Sequence, residues 1–177
     1  MASTRIAMIG IAGWKNSGKT TLVARLVEAF TKRGLRIATI KHAHHDLRLG
    51  DGMTDSERHA QAGACTVAVV SPTGWEISGQ SQDLPVPSLE EIAMRLAPAD
   101  LVLVEGYKSA RIPKIELRRR ASATDRPLAG NDPNVIAIAS DHALEDRNVP
   151  VFALDDVEGI AAFIEKATNL ARQSRLE

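Results

Sequence analysis

Short, wholly apolar runs alternate along the chain with stretches whose apolar side chains return every third or fourth position. The run over 6–12 is bounded by glycine and reads as a strand buried on both faces. Over 19–32, Leu22, Val23, Leu26, Val27 and Phe30 recur at helical spacing, and Gly34 closes that helix. Residues 36–41 form the next strand, and 55–62 a helix stopped by Gly63. The β-branched stretch 66–70 turns at Pro72-Thr73-Gly74 and returns over 75–78 as an antiparallel partner. Ser88 and Glu91 have the spacing of a capping box at a helix start. Strands follow at 101–104, 114–117, 135–139 and 151–154, and Asp156 caps a last helix reaching about residue 172. The longest stretch without apolar periodicity, 121–133, predicts a mobile loop.

Strands alternating with helices imply a mainly parallel sheet with right-handed crossovers, an α/β three-layer fold with the hairpin at one edge. A chain of 177 residues suits one domain, 1–177, with a core large enough to need neither disulfide nor structural metal. Its single cysteine, Cys65, excludes an internal disulfide and fits a reducing cytoplasm. Lys plus Arg and Asp plus Glu each number 22, so no overall basic field draws nucleic acid. Aromatic residues at 3% are too few for a base-stacking platform, and no apolar run is long enough to span a bilayer.

Between the first strand and the first helix lies Gly13-Trp14-Lys15-Asn16-Ser17-Gly18-Lys19-Thr20, a match to G-x-x-x-x-G-K-S/T at every fixed position and in the right context. The glycines let the backbone curl so that amide N–H groups from 13 to 21, through Thr21, point at phosphate oxygens. The helix that starts at Gly18 adds the positive end of its dipole. Lys19 is then placed to reach the β- and γ-phosphates, and the Thr20 hydroxyl to bind Mg²⁺. These features define a P-loop nucleotide-binding domain. The run Leu101-Val102-Leu103-Val104 ends in Glu105-Gly106, which sets an acid at the carboxyl end of a buried strand, facing the ligand crevice. Glu105 is the expected second metal partner, although it also reads as a solvated strand end.

Lys41-His42-Ala43-His44-His45-Asp46 leaves the second strand on the same crevice. Lys41 is placed to neutralise phosphate charge and Asp46 to join the Mg²⁺. Zinc on the histidines is the weaker reading, because nothing else in the sequence marks a soft-metal site. Asp55, Ser56 and Arg58 read either as a movable switch or as a capped first helical turn. From 108 to 120, Lys108, Arg111, Lys114, Arg118, Arg119 and Arg120 face only Glu116. That tract is either a solvated face or a binding site for an anionic partner. Lys108 is expected at the nucleotide, with 118–120 farther away. For the base, Asp141 is the candidate acceptor of guanine N–H groups, whereas Asp156 is equally well explained as a helix cap.

The phosphate loop, Thr39-Ile40-Lys41-His42, Asp55-Ser56-Glu57-Arg58-His59 with Ala62-Gly63-Ala64, Val104-Glu105-Gly106-Tyr107-Lys108 and Asn131-Asp132-Pro133-Asn134-Val135-Ile136-Ala137 together resemble the molybdopterin-guanine dinucleotide biosynthesis adaptor (MobB) family. The resemblance runs from about residue 5 to 155. It implies a GTP-binding protein with slow GTPase activity that assists the nucleotidyltransferase attaching GMP to molybdopterin, possible contact with molybdopterin itself, and a homodimer. The family is similar in fold to dethiobiotin synthetase, whose metal-binding acids correspond in type to Asp46 and Glu105. From the residues alone a P-loop small-molecule kinase or ATP-dependent ligase is the alternative, with 111–120 holding a second anionic substrate.

Overall fold

The computed structural model describes residues 6–43, 54–79, 86–124, 126–144 and 148–170. It divides into two compact units, Met1–His42 with Ile92–Glu177, and Ala43–Glu91. The larger unit holds β1 (Ala7–Gly13), α1 (Lys19–Lys32), β2 (Ile37–Lys41), β5 (Leu101–Glu105), β6 (Lys114–Arg118), β7 (Val135–Ser140), β8 (Val151–Ala153) and α4 (Val157–Thr168). The smaller holds α2 (Asp55–Gln61), β3 (Thr66–Ser71) and β4 (Gly74–Gly79), and α3 (Leu89–Arg95) runs across the boundary.

Six strands make one sheet in the order β2-β5-β1-β6-β7-β8, with every pairing parallel. The hairpin forms where the turn residues place it, and β3 and β4 make a two-stranded sheet of their own rather than an edge of the six-stranded one. The strands alternate faces, as β geometry requires. Ile9, Ile11, Leu103, Ile115, Leu117, Ala137 and Ala139 turn one way into the main core. There they meet Leu22, Leu26 and Phe30 of α1 and Ile160 and Ile164 of α4. Gly34 (φ 82°) ends α1 as its spacing predicts, and Asn169, in the left-handed region at φ 57°, caps α4; the expected limit near residue 172 lies outside the described residues. The capping box at Ser88 and Glu91 forms, with each backbone N–H donating to the other residue's side chain.

On the opposite face of β6 the alternate residues are Lys114, Glu116 and Arg118, a charged stripe inside the protein. Buried charges need partners, and here they come from the chain that follows. Lys114 Nζ donates to the Lys108 and Ala110 carbonyls and pairs with Asp132 at 2.6 Å. The Glu116 carboxylate accepts the backbone N–H groups of Leu128 and Ala129 (2.8 and 2.7 Å) and the Arg118 guanidinium at 3.0 Å. Leu128 and Ala129 then pack with Val135 and Ile138 in a second, smaller core. Leu128, Ala129 and Asp132, within the segment 121–133, are thus tied to β6.

Candidate functional site

The central position of β1 brings three strand ends together. Gly13 closes β1 at φ 154°, where a Cβ would stand 2.6 Å from Ser17 Oγ and 2.8 Å from the Leu117 carbonyl oxygen, so only glycine fits. Asn16 (φ 66°) and Gly18 (φ 89°) continue the turn in the left-handed region, and Ser17 is fully buried beneath it. Gly18 is the N-cap of α1 but contributes no side-chain cap, and the first turn carries no acid. The positive end of the helix dipole is therefore left open to an anion.

On one side of β1 lies β5, and beyond it β2, with Glu105 in register with both Ile11 and Lys41. Gly106 (φ 89°) donates its N–H to the Ile11 carbonyl, and His42 donates its N–H to the Glu105 carbonyl, which fixes both strand ends. Glu105, almost fully buried, accepts a hydrogen bond from the Thr20 hydroxyl at 2.7 Å and faces Lys41 Nζ at 3.6 Å. Lys19 Nζ donates to the Trp14 carbonyl at 2.7 Å and to Ser17 Oγ at 3.5 Å. Burial holds the Lys19 ammonium below the ordinary lysine range. Glu105 opposes that shift, and the charges of Lys108 and Lys41 add to it.

Lys19, Thr20 and Glu105 line a cleft of about 550 Å³ together with Asn16, Gly18, Thr21 and Arg119. Arg119 is the residue the sequence reading misplaces. Because β6 is the direct neighbour of β1, the chain leaving β6 emerges beside the loop, and a Cβ on Gly18 would lie 4.0 Å from Arg119 Nη1. Lys108 does reach the loop, where its Nζ sits 3.8 Å from the centroid of the Trp14 ring, a cation–π contact. Lys15 is exposed, and its carbonyl accepts the N–H of Ala123.

A second cleft of about 640 Å³ opens at the ends of β7 and β8, bordered by Arg25, Asp141, Phe152, Leu154 and Asp155, and again by Arg119. Asp141 is already well engaged there. Its Oδ1 lies 2.8 Å from His142 Nδ1 and 3.0 Å from the donating N–H of Arg120, and Arg119 Nε is 3.6 Å from Oδ2. The hydrogen bond from His142 holds the carboxyl below the usual aspartate range against the opposing effect of burial, with Arg120 and Arg119 assisting. Asp156 is a helix cap, accepting the N–H of Gly159 at 2.9 Å. Asp55, Ser56 and Arg58 stand in the first turn of a helix whose cap is Thr54, joined reciprocally to Glu57.

Asp46, His44 and His45 lie outside the described residues. His42 packs against the Tyr107 ring, centroid to centroid 4.8 Å. Among the described residues no three His, Cys, Asp or Glu side chains gather as a metal site. Magnesium takes oxygen ligands and needs few from the protein when phosphates supply the rest. The hydroxyl of Thr20 and the carboxylate of Glu105, side by side at the loop, are a donor set of that kind.

Fold and loop together define a P-loop α/β protein. A family model, molybdopterin guanine dinucleotide synthesis protein B, matches residues 8–141, and the chain belongs to that family. It is 36% identical over 163 residues to the molybdopterin-guanine dinucleotide biosynthesis adapter protein of Escherichia coli strain K12, covering 91% of this chain and 93% of that one. The adapter protein of the same name from Haemophilus influenzae is also 36% identical, over 167 residues, covering 92% of this chain and 90% of that one. The crystal structure of a MobB protein homolog from Bacillus stearothermophilus superposes with a TM-score of 0.68 at 29% identity, covering 92% of this chain and 97% of that one. No helix among the described residues is long and apolar enough to cross a membrane.

Proposed function

We propose that this chain is a GTP-binding adapter of molybdopterin-guanine dinucleotide biosynthesis in the cytoplasm, which hydrolyses GTP slowly and assists the nucleotidyltransferase that joins GMP to molybdopterin. The observation that carries this reading is the convergence of Lys19, Thr20 and Glu105 on one cleft at the phosphate loop, with Lys41 Nζ 3.6 Å from Glu105. In it, the amides from Gly13 through Lys15, Asn16, Ser17 and Gly18 to Thr21 surround the phosphates. Lys19 exchanges the Trp14 carbonyl for phosphate oxygens, and Lys41 adds a second positive charge. Thr20 and Glu105, with Asp46, hold the Mg²⁺. That ion, when bound, neutralises charge on the phosphates and orients them. Arg119 spans the clefts for the phosphates and the base, and Asp141 accepts guanine N–H groups.

Slow turnover has a physical basis. Glu105 is the single carboxylate lining the cleft among the described residues, and it is occupied by Thr20 and Lys41, which leaves no carboxylate there to activate water. The partner within the protein's own kind is a second copy. One face of the β3–β4 hairpin carries Val70 opposite Trp75, with Ile77 alongside, exposed at 79%, 70% and 62%. A two-stranded sheet so bare is marginal unless something covers it.

The adapter reading is tested by measuring affinity for the nucleotidyltransferase in nucleotide-free, GDP and GTP-analogue forms. Tighter association in one nucleotide form is expected. Equal affinity in all three contradicts a nucleotide-dependent role.

A further inference from the structure

Beyond the phosphate loop, on the face of β6 opposite α1, Trp14, Arg118, Arg120, Ser122, Thr124 and Arg126 line a third cavity, of about 390 Å³. Three observations mark it. The first is unbalanced charge. Arg118 is paired with Glu116 and Arg119, at its border, with Asp141, but Arg120 and Arg126 form no ion pair among the described residues. Like charges gathered at one cavity repel unless an anion joins them.

The second is that Arg120 and Arg126 stand on a fixed backbone. The N–H of Arg120 donates to Asp141, the N–H of Arg126 donates to Thr124 Oγ1, and the Arg126 carbonyl accepts the Trp14 indole N–H at 2.7 Å. The third is a wall short of acceptors. Arg118 Nε and Ser122 Oγ are both buried without a hydrogen-bond partner among the described residues, a rare and costly state for a native protein. An N–H and an O–H both lack the same thing, an oxygen to receive them.

We infer that this cavity is a second anion site, which takes the phosphate group of a small phosphate monoester. Planar guanidinium groups recognise phosphate oxygens in pairs, and the cavity volume lies in the range of small-molecule sites. The organic body of the ester fills what a bare phosphate leaves empty. The site does not rest on the nucleotide reading, since none of Arg118, Arg120, Ser122 and Arg126 lines the phosphate-loop cleft. It does adjoin that loop, because Trp14 and Lys15 hold the same segment through Arg126 and Ala123.

The test is calorimetric titration of the full chain with phenyl phosphate, with phenol and inorganic phosphate as comparison probes. Phenyl phosphate is expected to bind the K19A protein at one site, more tightly than inorganic phosphate, while phenol does not bind. The double substitution R120A/R126A, at two exposed positions, is expected to weaken that binding at least tenfold, and S122A several-fold. S122A also guards against a fold defect in the double variant, since it removes only a buried hydroxyl. Loss of all binding in K19A overturns the inference, because the phosphate loop is then the sole phosphate site. Binding that is unchanged in both R120A/R126A and S122A overturns it as well.

Discussion

Thr20 and Glu105, 85 residues apart, meet at the carboxyl ends of adjacent strands, and the threonine hydroxyl donates to Glu105 Oε1 at 2.7 Å. The contact joins the start of α1 to the end of β5 and sets a hydroxyl and a carboxylate side by side at the loop. Glutamine in this position can still accept the hydrogen bond from Thr20, so the substitution isolates the charge of Glu105.

Glu105→Gln should therefore preserve the fold and abolish the magnesium effect on nucleotide affinity. Wild-type protein is expected to bind GTP at least tenfold more tightly with Mg²⁺ than without, and the variant equally in both conditions. Titrations with and without EDTA measure this. A magnesium effect that survives the substitution removes Glu105 from the metal site.

The alkaline limit of nucleotide binding should report on Lys19. Its ammonium is held below the ordinary lysine value of 10.5, and only the charged form attracts phosphate. Affinity is therefore expected to fall as pH rises through that lowered value, earlier than for an unperturbed lysine. Glu105 is the one neighbour that raises the Lys19 value, so Glu105→Gln should move the falling limb to still lower pH. A profile that is flat to pH 10 in both proteins contradicts this.

The Lys114–Asp132 pair predicts an effect on stability rather than on binding. Lys114 is buried and gives its three donors to Asp132 and two carbonyls. Burial by itself raises the Asp132 carboxyl, but hydrogen bonds from Lys114 and Asn134 outweigh it and bring the net value below the usual range. A depressed acid stabilises the fold above its unfolded value and loses that contribution as pH falls through the folded one. Asp132→Ala strands a buried charge and should cost about 3–5 kcal/mol, read by urea unfolding at pH 7. The stability of the variant should also change less between pH 5 and pH 3 than that of the wild type. A loss under about 1 kcal/mol would mean that water reaches Lys114 freely.

The phosphate loop, the helix after it and the acid ending β5 are legible in the sequence because each is a local pattern with one good physical solution. Gly13 and Gly18 occupy backbone conformations that other residues resist, and four buried residues before Glu105 leave only the strand end for the charge. The fate of the basic tract is not legible in the same way. Alternation of Lys114, Glu116 and Arg118 announces a common face, yet the partners that bury it include the backbone N–H groups of Leu128 and Ala129, which no side-chain pattern encodes. Arg119 falls on the other side of that alternation and reaches the loop cleft, a placement that needed the strand order β5-β1-β6. The hairpin is readable from its turn, but its own pattern says nothing of whether a larger sheet receives it.

The account depends most on the phosphate loop, and calorimetry with GTP, GDP and ATP, each with and without Mg²⁺, on wild-type and Lys19→Ala proteins tests it most directly. The expected result is one site per chain, tightest for Mg²⁺–GTP and weakened at least a hundredfold in Lys19→Ala, with an unchanged melting temperature. Nucleotide affinity that is indifferent to Lys19 would contradict it.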